Sequence, residues 1–544
     1  MLPSISGPLP PTALSCAPAT ARAAARTALV GAVLVLAAAL RLWRFLQNPP
    51  LWNDEAALAL NLVELSWDRL LTGPLGYHQM APPGFLLSAA ASIAWLGPDE
   101  IGLRAVPLIA SLAACVLFTR LATRVLEWHD AVLACLAFAC LPGLVQYAAE
   151  VKQYASDVLF VIALTLVALD HRRWATSRRA AMAAAAAGAA FVWFSHPMVL
   201  ATGGTGAAIA WWAWRDRQAG PGASRPALVL GAWLVSAAAV AVLAALVWTS
   251  PATGAFMSRF WAHAFMPVPP SSLWEARWTW RAFNDLFHAA GFAPPAVSIV
   301  LAAAGAWSLW RRSHRTAVLL GAPVLAALAA SALRVYPFGG RTTLYVLPAL
   351  IVFAAEGVGV VRRHAGGPAQ RGAITAIAIA LFAAPLAGRL TPANRGLRPV
   401  LEQLARQRRP DDRIYAYYGA TYGMRFYAPG LGLDDAYEPG GCHRGAPRRY
   451  FHELDRFRGA SRVWVVMATV SPWFEEDREM LSYLGAIGEA RSAIVAGEAS
   501  AHLFDLSDPA RLAAASAERH RLVAPVRVEP YACESFEGGP PRAE

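Results

Sequence analysis

Three short stretches of this chain bring acids and cations together. Asp54 and Glu55 follow Leu51-Trp52-Asn53, while Glu150, Lys152 and Asp157 fall within eleven residues that begin at Tyr147. Arg334 and Arg341 flank Tyr336-Pro337-Phe338-Gly339-Gly340. A carboxylate can take the proton of a hydroxyl when a neighbouring acid or partial burial raises its pKa. Arginine grips a phosphate with two parallel hydrogen bonds and steadies it as it departs. Such a set suits moving a sugar from a lipid phosphate to a hydroxyl, a reaction that needs no nucleotide-binding loop. Each piece also has a plainer use. Asp54-Glu55 could cap the helix that begins there, since acids favour a helix N-terminus. Pro337-Phe338-Gly339-Gly340 could be a tight turn. His78 and His196 read more readily as structural than as catalytic.

Lys152 is the only lysine in 544 residues, every other basic side chain being arginine. This bias suggests a GC-rich bacterial genome. A lysine kept against it fits a place where a compact ammonium cannot be replaced by a guanidinium.

The elements that must carry these residues are membrane helices. Hydrophobic residues make up 56% of the chain and charged residues only 15%, with 20 tryptophans; a soluble domain carries about 25% charge. The apolar residues come in runs of about 17–23, enough to cross the hydrocarbon core. One run covers residues 27–46, and others centre near 112, 139, 163, 187, 206, 238, 302, 325, 352 and 380, about eleven in all. The connections alternate in charge. One set holds Arg120/Arg124, Arg172/Arg173/Arg178/Arg179, Arg215/Arg217/Arg225, Arg311/Arg312/Arg315 and Arg362/Arg363/Arg371; the other, longer set is sparsely basic. The positive-inside rule places the first set in the cytoplasm. The formal charge of +12 therefore belongs to membrane topology and gives no support to nucleic-acid binding.

This parity puts residues 47–102, 148–157, 250–292, 334–341 and everything after about 390 on the outer face. Residues 82–97 are apolar but cannot span without inverting every later loop, so they are expected as a short helix at or dipping into the outer interface. Trp261, Trp274, Trp278 and Trp280 mark an interfacial segment. The expected fold is a polytopic α-helical membrane protein with a C-terminal soluble α/β domain. Its divisions are a disordered tail over 1–26, a transmembrane domain over 27–390 with the outer loop 47–102, and a periplasmic domain over 391–544. In that last part Arg413–Tyr418, Arg462–Val470, Arg491–Ala496 and His502–Leu506 read as strands, and Leu397–Arg408 and Phe474–Leu484 as helices. Cys442 and Cys533 are its only cysteines and would pair in an oxidising periplasm, two free thiols being the alternative.

The order Arg41-Leu-Trp, Leu51-Trp-Asn-Asp54-Glu55, Pro82-Pro83, Glu100-Ile-Gly-Leu-Arg104-Ala-Val-Pro107, then Tyr147, Glu150, Gln153-Tyr154 and Gly340-Arg341 with Leu347-Pro348, resembles the GT-C glycosyltransferases. The branch is that of the protein O-mannosyltransferases and aminoarabinose transferases, and the likeness covers residues 30–360. It implies a hexosyl- or pentosyltransferase of the bacterial inner membrane that uses a polyprenyl-phosphate sugar on the outer face, with inversion. Its acceptor would be a glycolipid, polysaccharide or protein. Asp54 would be the base, Glu55 its neighbour and Glu150 the second acidic position. Lys152, Arg341 and Arg334 would hold the donor phosphate. His78, Pro82, Pro83 and Tyr154 would belong to the acceptor loop, although His78-Gln-Met-Ala-Pro-Pro departs from the usual His/Lys-x-Pro-Pro. A divalent metal near Asp54 and Glu55 stays open, two adjacent acids being few ligands. The rival readings are a transporter or flippase, which would place functional charges at the membrane midplane on repeated, broken helices, and a non-catalytic assembly protein.

Overall fold

The computed structural model describes residues 19–216, 224–292, 294–387, 396–434, 436–470 and 475–523. Among these, six helices are long and apolar enough to cross a membrane: Ala24–Leu46, Glu100–Val125, Arg225–Trp248, His314–Ala332, Gly340–Arg363 and Pro368–Leu386. The number rises to eight when two bent helix pairs each count as one span. The chain is a multi-pass membrane protein. The first helix begins at Ala19, inside the segment expected as a disordered tail, because Ala19–Arg26 is rich in alanine, the strongest helix former. Residues 1–18 of that tail lie outside the described residues.

Several of the other expected runs are helical but too short to cross alone. Trp128–Cys140 has 13 residues, Tyr154–Leu169 has 16 and Arg178–Phe191 has 14. At 1.5 Å per residue these reach about 20–24 Å, against roughly 30 Å of hydrocarbon. Their stops are chemically marked. At Leu141-Pro142 the first bends by 54° into the next helix, and a proline removes a helical hydrogen bond there. The carbonyls freed at this break are taken by Arg41. Its fully buried guanidinium donates to Phe138 O at 3.0 Å, Ala139 O at 3.2 Å and Ser111 Oγ at 2.8 Å.

The loops expected to be basic meet at one end of the bundle. Arg124 pairs with Asp170 at 2.7 Å, Arg362 with Asp130 at 3.0 Å and Arg363 with Glu356 at 2.7 Å. Helix Glu100–Val125 carries Arg124 at this end and Arg104 at the other, so the outer loop lies opposite. There Pro83–Leu96 forms the expected short helix, of 14 residues.

Residues 397–523 hold a five-stranded mixed sheet. The strands β1 (Arg413–Ala416), β2 (Tyr437–Pro439), β3 (Val463–Met467), β4 (Glu489–Ala496) and β5 (Ala499–Asp505) stand in the order β2-β1-β3-β5-β4. β2, β1 and β3 are parallel, while β5 and β4 run antiparallel. β2 has only three residues and no apolar run, which is why it does not read as a strand. One sheet face packs Tyr415, Tyr417, Tyr450, Phe451 and Tyr483 into its own core. The other face, with Ile414, Ala416, Trp464 and Val466, joins a core that also contains Leu51, Leu58, Phe85 and Leu103 of the outer loop and its helices. The sheet and the outer loop are therefore one packed body. Cys442 is disulfide-bonded; Cys533 lies outside the described residues.

Candidate active site

Asp54 stands in the first turn of helix Asn53–Glu64, where free backbone N–H groups and the helix dipole favour a negative charge. Its Oδ1 lies 3.0 Å from Lys152 Nζ and accepts from Gln79 Nε2 at 3.1 Å, and its Oδ2 lies 2.7 Å from Arg341 Nη2. Lys152 also donates to Gln79 Oε1 at 2.6 Å. Residues from three distant parts of the chain thus close one polar cluster. Burial would raise the Asp54 carboxyl, but Lys152 and then Arg341 outweigh it and hold the group down at about 2. The sequence reading expects a carboxylate with a raised pKa; the two cations produce the opposite.

Glu55, one residue on, faces away from this cluster. Arg104 grips it bidentately, Nε to Oε1 at 3.1 Å and Nη2 to Oε2 at 2.9 Å, and both groups are almost fully buried. Glu55 Oε1 also accepts from Val151 N at 2.7 Å, and Arg104 Nη1 donates to Pro49 O at 2.5 Å. This clasp ties the start of the outer loop to the Glu150–Lys152 turn, and so sets Lys152 opposite Asp54. Glu150 is buried and accepts from Gln146 Nε2 at 2.7 Å. Burial, with the Glu55 charge beside it, lifts its carboxyl to about 7.

A cavity of about 490 Å³ opens over Asp54, and its lining includes Lys152, Tyr154, Arg334, Arg341, His78 and His196. Glu55, Glu150, Pro82 and Pro83 do not line it. Pro82 and Pro83 start the short outer helix, where a proline suits the first turn, and Gly84 N donates to Trp193 O at 2.8 Å. The lining also holds apolar side chains, Trp52, Phe256, Met257, Phe260, Trp261 and Phe265. Arg341 lies over the Trp52 ring at 4.9 Å and Arg334 over Phe265 at 5.3 Å. His78 stacks on Phe256 at 4.9 Å and lies 3.4 Å from Thr253 Oγ1, which ties the outer loop to helix Pro251–Phe260. Tyr77 and His78 both have positive φ, 57° and 49°. Two successive non-glycine residues in that region are costly unless their surroundings enforce it. Burial lowers His196 to about 4, which keeps it neutral.

The sequence reading assigns no role to Gln79, although it bridges Lys152 and Asp54, nor to Arg104, the partner of Glu55. Tyr422, Arg444 and Thr469 reach the cavity from the C-terminal sheet domain, and nothing local in the sequence marks them. No group of three or more His, Cys, Asp or Glu gathers to hold a metal ion among the described residues. Asp54 is held by two cations and Glu55 by a third, so this donor set does not fit a divalent cation.

No protein-family profile matches the sequence, and no curated protein matches it significantly. Solved structures do. The oligosaccharyltransferase of Archaeoglobus fulgidus in its apo form superposes with a TM-score of 0.51 at 12% identity, over 81% of this chain and 69% of that one. The same protein in complex with Zn and sulfate gives 0.50 at 13% identity, over 80% and 67%. ArnT from Cupriavidus metallidurans bound to undecaprenyl phosphate gives 0.49 at 13% identity, over 89% and 98%. The two oligosaccharyltransferase superpositions show the fold alone: the chain shares the fold of that protein, the fold of the GT-C enzymes.

Proposed function

We propose that this chain is a membrane glycosyltransferase that moves a hexosyl or pentosyl residue from a polyprenyl-phosphate donor to an acceptor hydroxyl, with inversion. The observation that carries this reading is the Asp54–Lys152–Arg341 cluster in a cavity also lined by aromatic side chains. The reaction would take place on the periplasmic face of a bacterial inner membrane, as the charge alternation of the loops suggests.

The donor phosphate and Asp54 compete for the same two cations. A phosphate that draws Lys152 and Arg341 toward itself removes the interactions that hold Asp54 at about 2, and its carboxylate becomes a stronger base as the donor binds. The acceptor O–H then gives its proton to Asp54. Its oxygen attacks the anomeric carbon from the face opposite the phosphate. The carbon–oxygen bond to phosphate breaks, and the electron pair leaves with the phosphate, where Lys152 and Arg341 meet the charge. The tryptophans and phenylalanines of the lining suit the first isoprene units of the carrier. Arg334 and Tyr154 border the same space and would contact phosphate or sugar.

Reconstitution of the purified protein with a panel of polyprenyl-phosphate sugars tests this. Turnover of one donor, lowered by about 10²–10⁴ in Asp54→Asn with donor binding kept, is the expected result. Equal turnover in both proteins removes Asp54 from the mechanism. Absence of turnover together with carrier movement across the bilayer replaces the transferase with a transporter.

A further inference from the structure

Gln79 stands between two charges that the proposed reaction uses. Its Oε1 accepts from Lys152 Nζ at 2.6 Å, while its Nε2 donates to Asp54 Oδ1 at 3.1 Å and to Tyr77 O at 3.3 Å. Both charges dictate the same orientation of the amide. Turned over, it would set N–H groups against an ammonium and an oxygen against a carboxylate. The side chain lines the cavity but is only 7% exposed, so little water competes for these bonds.

The turn over residues 76–79, which delivers Gln79, is held from several sides. Asn61, fully buried, takes both backbone groups of Gly76: its Oδ1 accepts from Gly76 N at 2.7 Å and its Nδ2 donates to Gly76 O at 3.2 Å. Tyr77 Oη donates to Glu64 at 3.0 Å, and Glu64 pairs with Arg425 of the sheet domain at 2.7 Å. Asp54 and Asn61 are seven residues apart in helix Asn53–Glu64, two turns along one face. One helix therefore carries the acid and fixes the turn that brings the amide to it. These ties hold Tyr77 and His78 at positive φ, and strain of this kind gathers at working sites.

The two oxygens of Asp54 are held differently. Oδ1 meets Lys152 and Gln79, whereas Oδ2 meets Arg341 alone among the described residues, at 2.7 Å. A donor phosphate that draws Arg341 takes the one partner of Oδ2. Lys152 has three N–H donors, so it can turn one to the phosphate and keep another on Gln79. The neutral amide, fixed by its turn, stays on Oδ1.

We infer that Gln79 is a positioning residue for the transfer: it holds Asp54 by Oδ1 and Lys152 by its ammonium while the donor is bound, so that Oδ2 is the oxygen that takes the acceptor's proton. This rests on the transferase reading and names the reacting atom of the base. The acceptor O–H proton passes to Oδ2 as the acceptor oxygen bonds the anomeric carbon. The electron pair of the broken carbon–oxygen bond leaves with the phosphate.

The test compares the purified full-length wild type with Gln79→Met and Gln79→Glu, using the polyprenyl-phosphate sugar that the wild type turns over. Methionine has about the same length and makes neither bond. Its kcat is expected to fall about 10–10²-fold through loss of alignment, with the donor KM changing about three-fold or less. Glutamate keeps the shape and can still accept from Lys152, but it sets a second carboxylate against Oδ1. Like charges raise the pKa of such a pair, and a base acts only when ionised. The acid limb of kcat, which reports the bound complex, should therefore move up by about one pH unit or more, with the rate recovering toward alkaline pH. Tyr154 and Tyr422 are the other titratable groups near Asp54, and neither loses its proton near neutral pH. His78 and His196 also border the cavity, and they are common to all three proteins, so they cancel in the comparison. Melting temperature and calorimetric binding of a polyprenyl monophosphate show that each variant is folded; if the methionine variant melts too early to assay, the glutamate variant decides alone. Wild-type rates in both variants, or a loss equal at every pH in Gln79→Glu, overturn the role of Gln79 and leave the transferase reading standing. A variant that melts normally but no longer binds the carrier makes Gln79 a donor-binding group, and the inference fails. Wild-type turnover of no donor strikes the transferase reading, and this role falls with it.

Discussion

Lys152 is packed between Gln79 and Asp54 with its ammonium 2.6 Å from one and 3.0 Å from the other. A guanidinium is larger and planar and cannot take this place without pushing its neighbours aside. Lys152→Arg is therefore expected to lower carrier affinity about ten-fold and stability by about 1–3 kcal/mol, read by calorimetry and by thermal melting. Glu150 gives a prediction in pH. An ordinary glutamate titrates near 4.3, whereas burial and Glu55 raise this one to about 7. The folded state thus holds a proton that the unfolded chain has lost, and stability falls as pH rises through that window. The melting temperature should drop between pH 5 and pH 8, and Glu150→Gln should flatten much of the drop. An unchanged slope would mean that Glu150 is not the buried acid described here. Asp54, Lys152 and Arg341 could be picked out from the sequence because charges are rare in this chain and stand out against apolar runs. Gln79 could not, since a glutamine beside a proline pair has no signature. The separate fates of Asp54 and Glu55 were also hidden, because successive residues in the first turn of a helix point about 100° apart and meet different partners.

At the scale of elements, the Glu55–Arg104 clasp fixes one turn relative to another. It is fully buried, so removal of one partner leaves the other charged and unpaired. Arg104→Met should cost about 3–5 kcal/mol and displace Lys152 from Asp54. Adding Glu55→Leu should recover much of the melting temperature without restoring carrier affinity, because the Val151 N–H would still lack its acceptor. Recovery of both would reduce the clasp to packing alone. Hydropathy and charge alternation were enough to find the helices of the bundle and its two ends. Helix lengths were less legible. Trp128–Cys140 stops just before Pro142, and although that proline is visible in the run, Arg41, almost a hundred residues earlier, which takes the freed carbonyls, is not. Strands β1, β3, β4 and β5 showed in their alternation or apolar runs, while β2 depends wholly on pairing with β1.

On the scale of the whole molecule, the sheet domain holds the outer loop directly. Tyr427 Oη accepts from Leu51 N at 2.7 Å and donates to Glu100 Oε1 at 2.8 Å, and Arg398 bridges Glu100 at 2.5 Å and Asn48 O at 2.9 Å. Leu51 lies three residues before Asp54. Tyr427→Phe leaves that buried N–H and the Glu100 oxygen without this partner, a loss of about 1–3 kcal/mol, and should lower turnover along with melting temperature. A variant that melts earlier but turns over normally would show that the domain is only a cover. This joint was beyond reach from sequence, since its halves are about three hundred residues or more apart and each looks ordinary alone.

The stopped helices bear on any substrate that rides in lipid. Pulling a hydrocarbon chain into water costs roughly 0.8 kcal/mol for every methylene, so a long carrier is never lifted out to meet its enzyme. Helices of 13, 14 and 16 residues, each too short to cross the hydrocarbon alone, adjoin the segments that carry Lys152 and His196 to the cavity. On the proposed reading, a carrier phosphate at headgroup depth would come to Lys152 by sideways drift in the leaflet. The encounter rate would then depend on the areal density of carrier in one leaflet, and dilution of the surrounding water would leave it unchanged.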